Sequence, residues 1–101
     1  MIDEDLKDCC QIDRGDFVEF WRDSDIVHCD FKDGWKIWFQ KDTLHRDNLP
    51  AVIKPDGTQF YFEHGKLHRL DGPAVMRNNS DGNEFWINGI RIKQKIVRLT
   101  N

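Results

Sequence analysis

Leu67-His68-Arg69-Leu70-Asp71-Gly72-Pro73-Ala74-Val75 restates, with few changes, an earlier stretch of the chain, Leu44-His45-Arg46-Asp47-Asn48-Leu49-Pro50-Ala51-Val52. Self-similarity at a short fixed period is the mark of a fold made by stacking one small unit. Aligned on Asp-Gly pairs, the chain shows three units, beginning at Asp33-Gly34, Asp56-Gly57 and Asp81-Gly82, 23 and 25 residues apart. An aromatic segment follows each pair: Lys36-Ile37-Trp38-Phe39-Gln40, Gln59-Phe60-Tyr61-Phe62-Glu63 and Glu84-Phe85-Trp86-Ile87-Asn88. These segments are short, rich in aromatic and β-branched residues, and bounded by Gly, Asp and Asn, which predicts strands.

A turn follows each strand, at Lys41-Asp42, His64-Gly65 and Asn88-Gly89, the last being the strongest hairpin signal. In the first two units the chain then returns through Pro50-Ala51-Val52-Ile53-Lys54 or Pro73-Ala74-Val75-Met76-Arg77, with proline at the strand start, where a missing N–H is tolerated. The expected fold is therefore all-β, an antiparallel meander of stacked β-hairpin repeats. The third unit has no His-Arg loop after Asn88-Gly89 and reads as a terminal repeat. Upstream, residues 16–22 and 26–31 suggest another hairpin around Asp23-Ser24-Asp25; whether it is a decayed repeat stays open. The spacing of Leu6, Cys9 and Cys10 is compatible with a short N-terminal helix over residues 3–11.

At 101 residues the chain is expected to be a single domain, with an acidic N-terminal segment over 1–32, three hairpin repeats over 33–93 and a basic tail over 94–101. Charge is unevenly placed. Through Asp33 eleven acidic residues face four basic ones, whereas the remainder holds seven acidic and eleven basic. Three cysteines, Cys9, Cys10 and Cys29, are an odd number and argue against a disulfide framework, pointing to a reducing, cytoplasmic setting. The chain has no apolar run of membrane-spanning length, and Met1-Ile2-Asp3-Glu4-Asp5 is acidic where a signal peptide is basic, so no membrane association is expected.

The pattern Asp-Gly, aromatic strand, Gly, Leu-His-Arg-x-Asp-Gly-Pro-Ala-Val, complete from Asp56 to Val75, resembles a repeat of small bacteriophage and giant-virus proteins, and is similar to MORN-type hairpin repeats. The resemblance covers residues 33–93. The first unit departs from it with Asp42 for Gly, Asn48 for Asp and Leu49 for Gly. The resemblance implies a hairpin array and a viral source, which would place the protein in the host cytoplasm. It implies no chemistry, because fold-level likeness carries no activity.

Alternation sets Ile37, Phe39, Phe60, Phe62, Phe85 and Ile87 on one face of the strands and Trp38, Tyr61 and Trp86 on the other. One face is core; the other is covered by the first thirty residues or stays open as a contact surface. The binding-surface candidates are Trp38, Tyr61 and Trp86, with the acidic Asp3, Glu4, Asp5 and Asp8 steering a basic partner. His45, Arg46, His68, Arg69, Asp71 and Gly72 read as structural corners, since a hairpin array needs the same corner in each unit whereas an active site is needed once.

No catalytic residue, cofactor or metal site is assigned. Equivalent histidines one unit apart lie two strand spacings away, about 10 Å, too far to share an ion that each must approach to about 2.1 Å. No phosphate loop, nucleotide fingerprint or nucleophile elbow is present, and nucleic acid is not the favoured partner of an acidic chain without an RNA-binding signature. The expected function is a protein-binding module, a viral accessory factor that engages or inhibits a host protein, not an enzyme. Three alternatives stand beside it: an acidic nucleic-acid mimic working through residues 3–16, a small enzyme centred on His68 and Arg69, and a structural virion or assembly component.

Overall fold

The structure, a computed structural model, describes residues 6–78 and 82–93. It is all-β, with twelve strands: β1 (Cys10–Asp13), β2 (Phe17–Arg22), β3 (Asp25–Phe31), β4 (Lys36–Gln40), β5 (Thr43–Leu44), β6 (Val52–Ile53), β7 (Gln59–Phe60), β8 (Phe62–Glu63), β9 (Lys66–Leu67), β10 (Val75–Met76), β11 (Phe85–Ile87) and β12 (Ile90–Ile92). Antiparallel pairing runs β1-β2-β3-β4-β6-β7-β10 in one row, while β5 pairs with the end of β4. The hairpins β8-β9 and β11-β12 lie off that path.

These hairpins form a second row. Gly65 N–H donates to Leu44 O (2.8 Å) and Arg46 N–H to Phe62 O (3.2 Å), joining β5 to the β8-β9 hairpin. Gly89 N–H to Leu67 O (2.8 Å) and Arg69 N–H to Trp86 O (3.1 Å) repeat the junction one unit later. The aromatic strand of each full unit serves both rows, with its central residue as pivot. Trp38 N–H donates to Ala51 O in the first row while Trp38 O accepts from His45 N–H in the second; Tyr61 does the same with Ala74 and His68. The simple meander expected from sequence is thus a double one, because each aromatic strand pairs along its first half with the Pro-Ala-Val return and along its second half with the residues after its turn.

Turn chemistry explains the spacing. All three second-row hairpins hold positive φ at both turn residues, Lys41 and Asp42 (50° and 67°), His64 and Gly65 (51° and 83°), Asn88 and Gly89 (50° and 82°), the backbone a two-residue hairpin needs. Asp42 keeps this geometry without glycine. The first-row connections use the Asp-Gly pairs: the Asp56 carboxylate accepts Thr58 N–H at 2.9 Å, and Gly57 sits at φ 91° with a β-carbon position only 3.0 Å from Asn78 Oδ1.

The core follows the first row and includes Phe20, Cys29, Trp38, Ala51, Val52, Ala74 and Val75, with Ala51 and Ala74 fully enclosed. The molecule is elongated, 49 × 27 × 21 Å, as a linear array should be. Two expectations change. The described part of the N-terminal segment contains no α-helix: after a turn in which Cys9 N–H bonds Leu6 O, Cys10–Asp13 joins β2 as an exposed edge strand. Pairing with β2 satisfies this backbone where a short isolated helix gains little. The second change concerns the aromatic face, since Trp38 is 4% exposed and belongs to the core. Residues 94–101, the expected basic tail, and Asp81 of the third Asp-Gly pair lie outside the described residues. Among the described residues no helix is long and apolar enough to cross a membrane.

Candidate functional site

The repeated His-Arg pairs hold one unit to the next. His45, 7% exposed, accepts the backbone N–H of His64 on Nδ1 at 2.9 Å. Its protonated Nε2 therefore donates to Asp47 Oδ1 at 2.8 Å. His68 Nδ1 accepts Asn88 N–H at 2.9 Å, the same bond one unit on. With both ring nitrogens of His45 engaged, neither is open to take a proton from a substrate. His68 is partnered on Nδ1 by the fold itself, so a catalytic role there has to run through Nε2 alone.

The arginines cover the aromatic pivots. Arg46 lies 3.7 Å above the Trp38 ring and donates through Nη1 to Pro50 O at 3.2 Å. Arg69 lies 4.1 Å above Tyr61, donates through Nη1 to Pro73 O at 3.2 Å and pairs through Nε with Asp71 at 3.1 Å. A guanidinium stacked on an aromatic face adds roughly 0.5–2 kcal/mol and covers the ring from solvent. Gly72 leaves room for Arg69: a β-carbon there would stand 3.0 Å from the guanidinium carbon, which would have to give by a few tenths of an ångström. At the equivalent place the first loop has Leu49, 48% exposed, preceded by Asn48 at φ 61°, so its path differs.

Trp38 is therefore no open contact residue: Arg46 stacks on one face and the His28 ring packs against it at 4.2 Å. Tyr61 is half-buried beneath Arg69, and Trp86 is half-buried with its indole N–H bonded to Glu84 at 2.9 Å. Asp8 is exposed, and Asp3, Glu4 and Asp5 lie outside the described residues. The three aromatics do not form a common exposed patch.

Two features escaped the sequence reading. The first is His28, 2% exposed, whose Nδ1 donates to Ile37 O at 2.9 Å and whose ring lies between Phe20 and Trp38. Burial pushes its pKa down to about 4, so it is neutral in the folded protein at pH 7. The second is a Glu-Phe-Trp tripeptide present at both ends of the fold, 19–21 in β2 and 84–86 running into β11. In each the indole donates to the glutamate two residues back, at 3.0 and 2.9 Å, and an arginine, Arg14 or Arg77, pairs with the same carboxylate. These hydrogen bonds hold both carboxyls below the usual glutamate range. The identical tripeptide was the available signal.

A cleft of about 650 Å³ opens where the unrepeated β2-β3 turn meets the first His-Arg loop. Leu6, Val27, Trp38, Phe39 and Leu49 give it an apolar lining, and Asp23, Asp25, Lys41 and Asp47 bring charges of both signs. Lys41 and Asp25 form an ion pair at 3.3 Å beside it. The corresponding cleft in the second unit is smaller, about 290 Å³, and is lined by Tyr61, His68, Arg69 and Leu70 among others. Among the described residues no group of three or more His, Cys, Asp or Glu side chains is placed to hold a metal ion.

Comparison with known proteins gives no support from outside the chain: no family model, no curated protein and no solved structure matches it.

Proposed function

We propose that this chain is a protein-binding module that receives an extended segment of a partner protein in the cleft between the β2-β3 turn and the loop after β5. The observation that carries the reading is the contrast between the two loops. Residues common to both, His45 and Arg46 among them, are engaged in joining units, and around them the larger cleft adds side chains that do not recur, among them Asp23, Asp25, Asp47 and Leu49. Its volume lies within the range of specific ligand sites. An apolar lining with flanking charges of both signs suits a segment that inserts an apolar side chain and pairs polar groups at the rim. The resemblance of the 56–75 motif to viral repeats extends the proposal to a viral accessory factor acting on a host protein in the cytoplasm.

The test is capture of partners from a host lysate with the wild-type chain and with Leu49→Arg. Leu49 is half exposed, so the substitution leaves the fold intact while placing charge in the cleft. A partner lost with Leu49→Arg and recovered by the wild type supports the reading. A partner retained by Leu49→Arg but released by modest salt, and lost when residues through Asp16 are deleted, would instead establish the acidic-mimic alternative.

A further inference from the structure

We propose that copies of this chain assemble head to tail, the outer edge of β12 in one copy pairing with the outer edge of β1 in the next. The second row of hairpins shows how it grows. β5 and the loop after it offer Leu44 O and Arg46 N–H to the following hairpin, and β9 and the loop after it offer Leu67 O and Arg69 N–H to the one after. By position in the hairpin, Arg91 O and Lys93 N–H come next in that series, and no described residue pairs with them. Since β11 and β12 pair Ile87 with Ile90 around a two-residue turn, the backbone groups of Arg91 face away from β11. Among the described residues the last hairpin therefore presents the kind of edge that accepts a hairpin twice earlier in the chain.

At the other end, Arg14 N–H bonds Phe17 O at 2.8 Å, which fixes the alternation along β1. Cys10 and Ile12 exchange bonds with β2, while the backbone groups of Gln11 and Asp13 point outward. All four β1 residues are exposed.

The two edges fit one another antiparallel with Arg91 opposite Asp13, Ile92 opposite Ile12 and Lys93 opposite Gln11. Outward-facing backbone groups then meet outward-facing groups, and the arginine meets a carboxylate. Ile12 and Ile92 come together on the opposite face. Each edge suits its own kind less well, because β1 against β1 opposes Asp13 to Asp13 or Asp8 to Asp16 in two of its registers, and β12 against β12 brings Arg91 near Arg91. Like charges directly opposed disfavour such pairs. A contact between different surfaces does not close on itself in a dimer, so the product is an open chain of subunits unless its rotation closes a ring.

Sedimentation velocity and light scattering on the full chain read this directly. The wild type is expected to rise from its 12.0 kDa monomer mass to at least twice that as concentration increases at low salt, and to fall back in high salt. Asp13→Arg and Arg91→Asp, both at exposed positions, each remain monomeric, since each opposes like charges across the contact. Mixing the two variants restores association, because each then presents the complement of the other. A wild type that stays monomeric at every concentration in low salt overturns the proposal, as does a mixture that stays monomeric. Leu49→Arg, which disables the partner cleft, leaves assembly unchanged, so failure of one proposal is separable from failure of the other.

Discussion

The two His-Arg loops begin from nearly the same sequence and differ in how firmly the rest of the molecule holds them. Both use histidine Nδ1 to catch the next turn, and both lay arginine over an aromatic pivot. Only the first has a second hairpin beside it, so Trp38 is pressed between Arg46 and the His28 ring, while Tyr61 has Arg69 above it and stays half-buried. The repeat supplies the joint, and its neighbours decide how much of that joint becomes core.

The largest effect should separate the two pivots. Trp38→Ala removes a buried indole and is expected to destabilise by about 3–5 kcal/mol, whereas Tyr61→Ala should cost roughly half as much. Chemical denaturation of the two variants measures both, and equal losses would show that the first unit gains nothing from the N-terminal hairpin.

A smaller effect follows from His28. Its folded pKa, about 4, lies below the ordinary value of 6.5, so the unfolded chain takes up the proton first as pH falls. Stability from this group is complete above pH 6.5 and is lost between 6.5 and 4, at up to about 1.4 kcal/mol per pH unit. The thermal midpoint should drop across that window and flatten in His28→Phe. A wild-type midpoint that does not move would remove His28 from the account of why the first pivot is firmer.

The smallest effect concerns the turns. Asp42 holds φ 67° where the other two hairpins have glycine. Asp42→Gly should therefore stabilise by about 1 kcal/mol through relief of left-handed strain, less the entropy that glycine adds to the unfolded chain. Gly65→Asp should do the reverse, and its denaturation midpoint checks whether the two turns are interchangeable.

Much of this architecture was legible. The aromatic strands, the Asp-Gly connections and the three turns could be placed because glycine, asparagine and aspartate sit where positive φ or a side-chain cap is required. Which face of β4 becomes core was not, because Ile37-Trp38-Phe39 is apolar on both sides and periodicity is silent when both faces are apolar. That choice is made by Arg46 folding back over the ring and by His28 arriving from a different hairpin. The edge strand β1 was hidden for a related reason: Cys10-Gln11-Ile12-Asp13 is exposed along its length and carries no buried alternation. The candidate cleft was illegible because its lining comes from segments spread over residues 6–49, none of which forms a motif alone.

The two-row connectivity also has a consequence for how the protein comes into being on the ribosome. Every backbone bond between units joins residues about two dozen positions apart or fewer. Closing such short loops is entropically inexpensive, and contacts of this range form quickly. Each unit can therefore dock as soon as its own turn has emerged, with the Trp38 region already in place to receive it, so synthesis and folding proceed in the same direction along the chain.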